Sequence, residues 1–197
     1  MGRQLIDQPF GVINAVNFYQ KESFQLLHDY IQTLHNSPYQ SVNVCYRLAN
    51  VLPESGAVTR GICEVDEEGY LVSVTDRLGV ERVGGRPMYP NDLHKWESLD
   101  ENCLVSMNMW GFKPDIFAEM QMAFDAFFDV HGLDMKAHYS IPVFMNKQIE
   151  QGVKVKVVET PAHWMGLVSH DDKIQVVLRI NEMMRKGIYP HKLFEKN

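Results

Sequence analysis

The chain has 197 residues, 45% of them hydrophobic and 22% charged, which excludes a low-complexity chain and argues against wholesale disorder. With 19 basic and 25 acidic residues its net charge is −6, against the basic footprint of a nucleic-acid binder. No apolar run approaches the length of a membrane span, Arg3, Gln4, Asp7 and Gln8 interrupt any leader-like start, and Cys45, Cys63 and Cys103 lack metal-ligand spacing. The expectation is a cytoplasmic protein with free buried thiols and neither membrane nor nucleic-acid partners.

Residues 10–15 (FGVINA) read as a short buried strand. Residues 21–35 read as a helix, with Phe24, Leu27, Ile31 and Leu34 at helical spacing and Pro38 beyond its end. Residues 42–48 alternate as a strand. Residues 57–65 and 70–76 form a strand pair around the turn Asp66-Glu67-Glu68-Gly69, and 80–83 a further short strand. A polar connector is expected through residue 101, then the most apolar strand at 103–112. Pro114 suits the first turn of a helix whose apolar face is Phe117, Met120, Phe124, Phe127 and Phe128, ending at Gly132. A second helix spans 142–151 and a strand 153–159, with 164–168 as its expected partner. A last helix runs from 172 to 185, with Gly187 as C-cap. The order implies one layered α/β or α+β domain with a mixed sheet and a hairpin-rich middle.

Four constellations can carry chemistry. Asn14 and Asn17 follow the first strand, where α/β sheets often bind ligands, although an Asn there also caps helices. Arg60, next to Gly61, offers a planar fork for an anion or for a sheet salt bridge, and Asp76 ends the following strand as an acceptor for hydroxyls or a solvated end. Asn108 is polar within an apolar strand, and Trp110 offers a flat surface to a sugar or base, or else fills the core. Asp171 and Asp172, beside His170, are candidate ligands for Mg2+ and equally good residues for the first turn of a helix. No nucleophile elbow, dinucleotide fingerprint, Walker loop or zinc motif is present.

Residues 10–19 (FGVINAVNFY), 56–74, 105–114 (VSMNMWGFKP), 164–173 (WMGLVSHDDK) and the ending Gly187-Ile188-Tyr189-Pro190 are collinear with one pattern. Together they resemble the C-terminal two-thirds of bacterial sugar-phosphate nucleotidyltransferase-like proteins, the nucleoside-diphosphate-sugar pyrophosphorylases. The resemblance implies a GT-A/Rossmann-like three-layer domain over residues 1–197, incomplete and N-terminally truncated relative to the family. It also implies magnesium-dependent joining of a nucleoside triphosphate to a sugar 1-phosphate. Two departures set the expectation for activity. The family's glycine-rich triphosphate loop has no counterpart here, and its Asn-Ala-Asp-Asp-Phe-Tyr reads Asn14-Ala15-Val16-Asn17-Phe18-Tyr19, so valine replaces a metal-binding aspartate. The isolated chain is expected to be weak or inactive in nucleotide transfer. It would then need a missing N-terminal partner, or serve as a sugar or sugar-phosphate binding or structural module. A hydrolase or phosphotransferase built on His170, Asp171 and Asp172 is the third alternative. A homodimer or partner contact is expected to cover an open sheet edge near the start of the chain.

Overall fold

The computed structural model describes residues 2–166 and 170–192; within the last helix, side chains are described from Lys173 onward. The elements, in chain order, are β1 (Phe10–Val12), β2 (Asn17–Phe18), α1 (Gln20–Thr33), β3 (Ser41–Arg47), β4 (Val58–Val65), β5 (Leu71–Val83), β6 (Arg86–Pro90), β7 (Trp96–Ser98), β8 (Leu104–Phe112), α2 (Ile116–His131), α3 (Ile141–Glu150), β9 (Val155–Thr160), β10 (Met165–Gly166) and α4 (His170–Arg185). The main sheet runs β7-β6-β5-β4-β8-β3-β9, and β1 joins it through β8. β3 and β9 are parallel, whereas β8 is antiparallel to β1, β3 and β4, so the sheet is mixed.

Alternation along the strands builds two cores. Val42, Val44, Tyr46, Val105, Met107, Met109 and Val158 point to the side where Leu27 of α1 packs. Cys45, Cys63, Val74, Trp110, Phe112, Val155 and Val157 point to the other side, with Ile116 of α2 and Phe144 and Met145 of α3. Helices on both faces of one sheet make the three layers that the sequence implied.

α1 approaches the sheet closely because two glycines lie beneath it. Gly11 and Gly111 are paired across β1 and β8. A Cβ on Gly11 would lie 2.8 Å from Leu27 Cδ2, and one on Gly111 would lie 2.9 Å from Ile31 Cγ1. A polar string fixes the same helix. The Tyr46 hydroxyl contacts the Tyr19 carbonyl at 3.0 Å and Ser23 Oγ at 2.8 Å, and Ser23 Oγ lies 3.1 Å from Thr160 Oγ1.

The sheet curls until the tip of the β4–β5 hairpin reaches β9. Tyr70 bridges Lys156, the Val157 amide donates to the Gly69 carbonyl at 3.1 Å, and the ring of Tyr70 lies under both Lys154 and Lys156.

Four expectations change. The first strand stops at Val12 and is only half-buried, and β8 is its sole strand partner among the described residues. The strands expected at 70–76 and 80–83 are one, because Gly79 adopts a left-handed φ of 69° and carries the chain through without a break. The polar connector contains β6 and β7, with the turn at Gly84-Gly85, both at positive φ. Residues 165–166 pair with β2 and not with the 153–159 strand. β9 already has β3 on one edge and Tyr70 on the other, and the Trp164 amide donates to the Asn50 carbonyl, which draws the chain over the α1 face.

Gly111→Ala is expected to lower stability by about 1–3 kcal/mol, read from urea midpoints, because branched Ile31 cannot yield freely. Gly11→Ala should cost less, since only the flexible end of Leu27 has to move.

Candidate functional site

β8 is the strand on which the candidate residues meet. At Trp110–Phe112 it pairs with β1, and at Val105–Ser106 with β4. Between them, at residues 107–109, that edge has no strand. On its other edge, β8 passes from Trp110 opposite Asn43 to Ser106 opposite Cys45, so three residues of β8 face Val44 alone. This bulge puts Asn108 at φ 58°, a left-handed backbone that Asn adopts more readily than other non-glycine residues.

The carbonyls freed by the bulge are met by side chains. The Tyr19 hydroxyl donates to the Met107 carbonyl at 2.8 Å, and Asn43 Nδ2 donates to the Met109 carbonyl at 3.2 Å. Tyr19 is fully buried, and its oxygen also accepts from the Asn14 amide at 3.0 Å and from Asn17 Nδ2 at 3.3 Å. One phenol therefore ties the loop after β1 to the bulge, and makes a notch in the sheet with Asn14 and Asn17 on one rim and Asn108 beside it. A crevice where strands part at the carboxyl end of β1 is where α/β sheets place ligands.

Of the residues singled out from sequence, Asn14 and Asn17 meet at the Tyr19 hydroxyl, which bonds the Met107 carbonyl, and Asn108 meets Trp110. Trp110 is 0% exposed, stacks on Phe112 and donates through Nε1 to Asn108 Oδ1 at 3.4 Å, so it braces Asn108 and presents no free ring face. Asp76 lies in a cross-strand row with Gly61 and Ser106. A Cβ on Gly61 would stand 3.4 Å from Asp76 Oδ1 and 3.0 Å from Val74 Cγ1, so glycine leaves a narrow slot beside the carboxylate. Asp76 also lines a cleft of about 510 Å³ with Arg77, Tyr89, Asn91 and Glu97. Arg60 is on the opposite face. Its guanidinium donates to the carbonyls of Val51 and Thr59 and stacks over Trp164 at 5.1 Å. Burial lowers its pKa to about 10, leaving a charged group that pins a loop, its N–H groups spent on main-chain carbonyls. The side chains of Asp171 and Asp172 lie outside the described residues.

Two further residues escaped sequence reasoning. Tyr19 carries the junction, and only its place at the end of the Asn-Ala-Val-Asn-Phe-Tyr run signalled it. Ser106 has a buried hydroxyl without a hydrogen-bond partner, in the row with Gly61 and Asp76. A serine between Val105 and Met107 was its only signal.

Among the described residues the groups at the Tyr19 junction are amides and a hydroxyl, whereas magnesium takes carboxylates and phosphate oxygens, so a magnesium ion here would depend on Asp171 and Asp172. Among the described residues no group of three His, Cys, Asp or Glu is placed to hold a metal ion.

No protein-family model matches the chain, and no curated protein sequence matches it. Solved structures do. The chain is similar to the inositol-1-phosphate CTP transferase from T. maritima, with a TM-score of 0.53 at 11% identity over 93% of this chain and 59% of that one. It is also similar to a protein from Bacillus anthracis assigned as a glucose-1-phosphate thymidylyltransferase and solved in complex with sucrose, with a TM-score of 0.54 at 11% identity over 98% and 60%. The fold is nucleotidyltransferase-like. This nucleotidyltransferase-like α/β domain spans less than two-thirds of the length of either protein. Among its described residues, no helix is long and apolar enough to cross a membrane.

The cysteines are free. Cys45 and Cys63 Sγ lie 3.6 Å apart, but β8 runs between their strands, too wide a span for a disulfide without backbone movement. Burial pushes the Cys45 thiol well up, and burial followed by Asp100 raises Cys103 to about 11.

Two outcomes follow from this geometry. Tyr19→Phe is expected to lower stability by about 1–3 kcal/mol and to speed hydrogen exchange at the Asn14 amide, measured by urea unfolding and mass-resolved exchange. Cys45 and Cys103 hold their protons more tightly folded than unfolded. Their contribution is therefore complete below the unfolded thiol pKa of about 8.5 and is lost as pH rises toward the folded values. Urea midpoints should fall across that window, and less steeply in Cys103→Ala.

Proposed function

We propose that this is a nucleotidyltransferase-like protein related to the enzymes that form nucleoside-diphosphate sugars from a nucleoside triphosphate and a sugar 1-phosphate. Its notch binds a sugar phosphate or nucleotide, and the isolated chain transfers nucleotides weakly or not at all. The observation that carries this reading is the notch at the β8 bulge, where Asn14 and Asn17 meet one buried phenol that bonds the Met107 carbonyl, next in the chain to left-handed Asn108. Amides both donate to and accept from sugar hydroxyls, and they donate to phosphate oxygens.

The expectation of weak transfer rests on charge. Transfer to a sugar phosphate builds negative charge that must be neutralised as the bond breaks. Exposed Val16 stands where the resemblance expects a carboxylate, and the Arg60 guanidinium is engaged by the Val51 and Thr59 carbonyls. Any role for Mg2+ rests on Asp171 and Asp172. The fold likeness to an inositol-1-phosphate CTP transferase and to a protein assigned as a glucose-1-phosphate thymidylyltransferase supports the class of ligand. The second reading, a non-catalytic sugar or sugar-phosphate module, is favoured by the same neutral donor set.

Calorimetric titration with glucose 1-phosphate and with nucleoside triphosphates, each with and without magnesium chloride, separates the two. Magnesium-dependent triphosphate binding that Asp172→Asn abolishes supports an enzyme lineage with a retained nucleotide site. Binding of the sugar phosphate alone supports the module. Asn108→Ala should weaken sugar-phosphate binding about tenfold, the loss of roughly one hydrogen bond. Unchanged affinity in that variant rejects the notch as the site, and rapid pyrophosphate release by the purified chain rejects weak transfer.

A further inference from the structure

α2 uses little of its apolar surface to hold the fold. Ile116 is its one buried residue, with Met120 and Ala123 packed partly against the sheet. One shoulder of the helix stays in solvent, where Phe124 is 46% and Phe128 57% exposed, and Leu133 and Met135 follow it fully exposed. Phe124 and Phe128 are one helical turn apart and share a strip. Beside the strip is a cavity of about 350 Å³, lined by Phe127, His131 and Tyr139 among others. Phe127 and Tyr139 stack there at 4.9 Å, and the Tyr139 hydroxyl is out of reach of water without a hydrogen-bond partner. An apolar groove with one orphaned polar atom is short of a contact.

The charge around the groove selects the occupant. Residues 115–140 contain Asp115, Glu119, Asp125, Asp129 and Asp134 against Lys136, and Lys147 of α3 adds a second cation over the Tyr139 ring at 5.9 Å, which leaves the region net negative by 3. Asp125 and Asp129 are exposed and lie one turn apart along the edge of the phenylalanine strip. The carboxyl end of α2 adds the negative pole of the helix at the mouth of the cavity. A second copy of this chain would set one net-negative groove against another, and anionic membranes and nucleic acids meet the same repulsion.

We infer that the Phe124–Phe128 strip of α2 and the adjoining aromatic cavity form a docking groove for a cationic amphipathic helix of another protein. The apolar side of that helix would lie on Phe124 and Phe128 and its lysines or arginines against Asp125 and Asp129, in the helix-in-groove manner. The inference is independent of the ligand read at the notch.

The test uses the full chain and a labelled synthetic helix of leucine and lysine at amphipathic spacing, followed by fluorescence anisotropy. Binding is expected for this peptide and not for its leucine–glutamate counterpart. Raising sodium chloride from about 50 to about 500 mM should weaken it by about tenfold or more. Phe128→Ala and the pair Asp125→Asn with Asp129→Asn should each weaken it about tenfold, whereas Leu93→Ala, exposed on the β6–β7 hairpin, should leave it unchanged. These positions are on the surface, and circular dichroism checks that each variant is folded. Absent binding, equal binding of the glutamate peptide, or affinity indifferent to both α2 variants would overturn the inference. A concentration-dependent dimer in sedimentation that Phe128→Ala abolishes would overturn it too, by giving the groove to a second copy.

Discussion

Everything in this domain depends on one strand accommodating three neighbours. β8 pairs with β3 at both ends of one edge and divides the other between β1 and β4. A regular strand cannot do this and also leave room for a crossing loop. The bulge at residues 107–109 resolves the conflict, and the freed carbonyls of Met107 and Met109 are answered by Tyr19 and Asn43. Both bonds are made by buried side chains. Leaving either acceptor unmet would cost on the order of 1–3 kcal/mol. The left-handed Asn108 is thus held in place by packing and hydrogen bonds on both sides. The same feature that terminates regular pairing creates the notch.

Most of the architecture was legible because periodicity reports burial. Alternation at 42–48 and 153–159 and the apolar run at 103–112 gave β3, β9 and β8, and helical spacing gave α1 through α4. The elements that went unread are those set by backbone freedom. Gly79 joins two apparent strands, and Gly84-Gly85 folds a polar stretch into a hairpin with little apolar patterning. The pairing of 165–166 with β2 depends on distant edges already being taken, which no local window contains. At the site, the asparagines were legible as polar groups out of place. The core placement of Trp110 was one of its two readings, but the carbonyl partners of Arg60 and the centrality of Tyr19 were not legible, because each depends on which face of the sheet a residue occupies.

The likeness to two solved nucleotidyltransferase-related structures is one of fold, at 11% identity. Fold alone does not carry chemistry. At the junction itself the groups are the neutral Asn14 and Asn17 around Tyr19, Val16 is apolar, and the Arg60 guanidinium is bound to main-chain carbonyls. Recognition and turnover are separable demands on a site.

The contact between Tyr70 and β9 has a consequence for solubility and for folding order. A terminal strand such as β9 would ordinarily offer its free amides and carbonyls to any passing chain. The hairpin tip occupies part of that edge, and Lys154 and Lys156, gathered over the Tyr70 ring, place positive charge along it. The guard is drawn from a segment distant in sequence, so it closes only after β3, β8 and β9 have assembled. The β4–β5 hairpin can form early from local contacts, but the far edge of the sheet stays unguarded until the curl is complete. A chain with β9 paired and Tyr70 undocked would offer that edge to association.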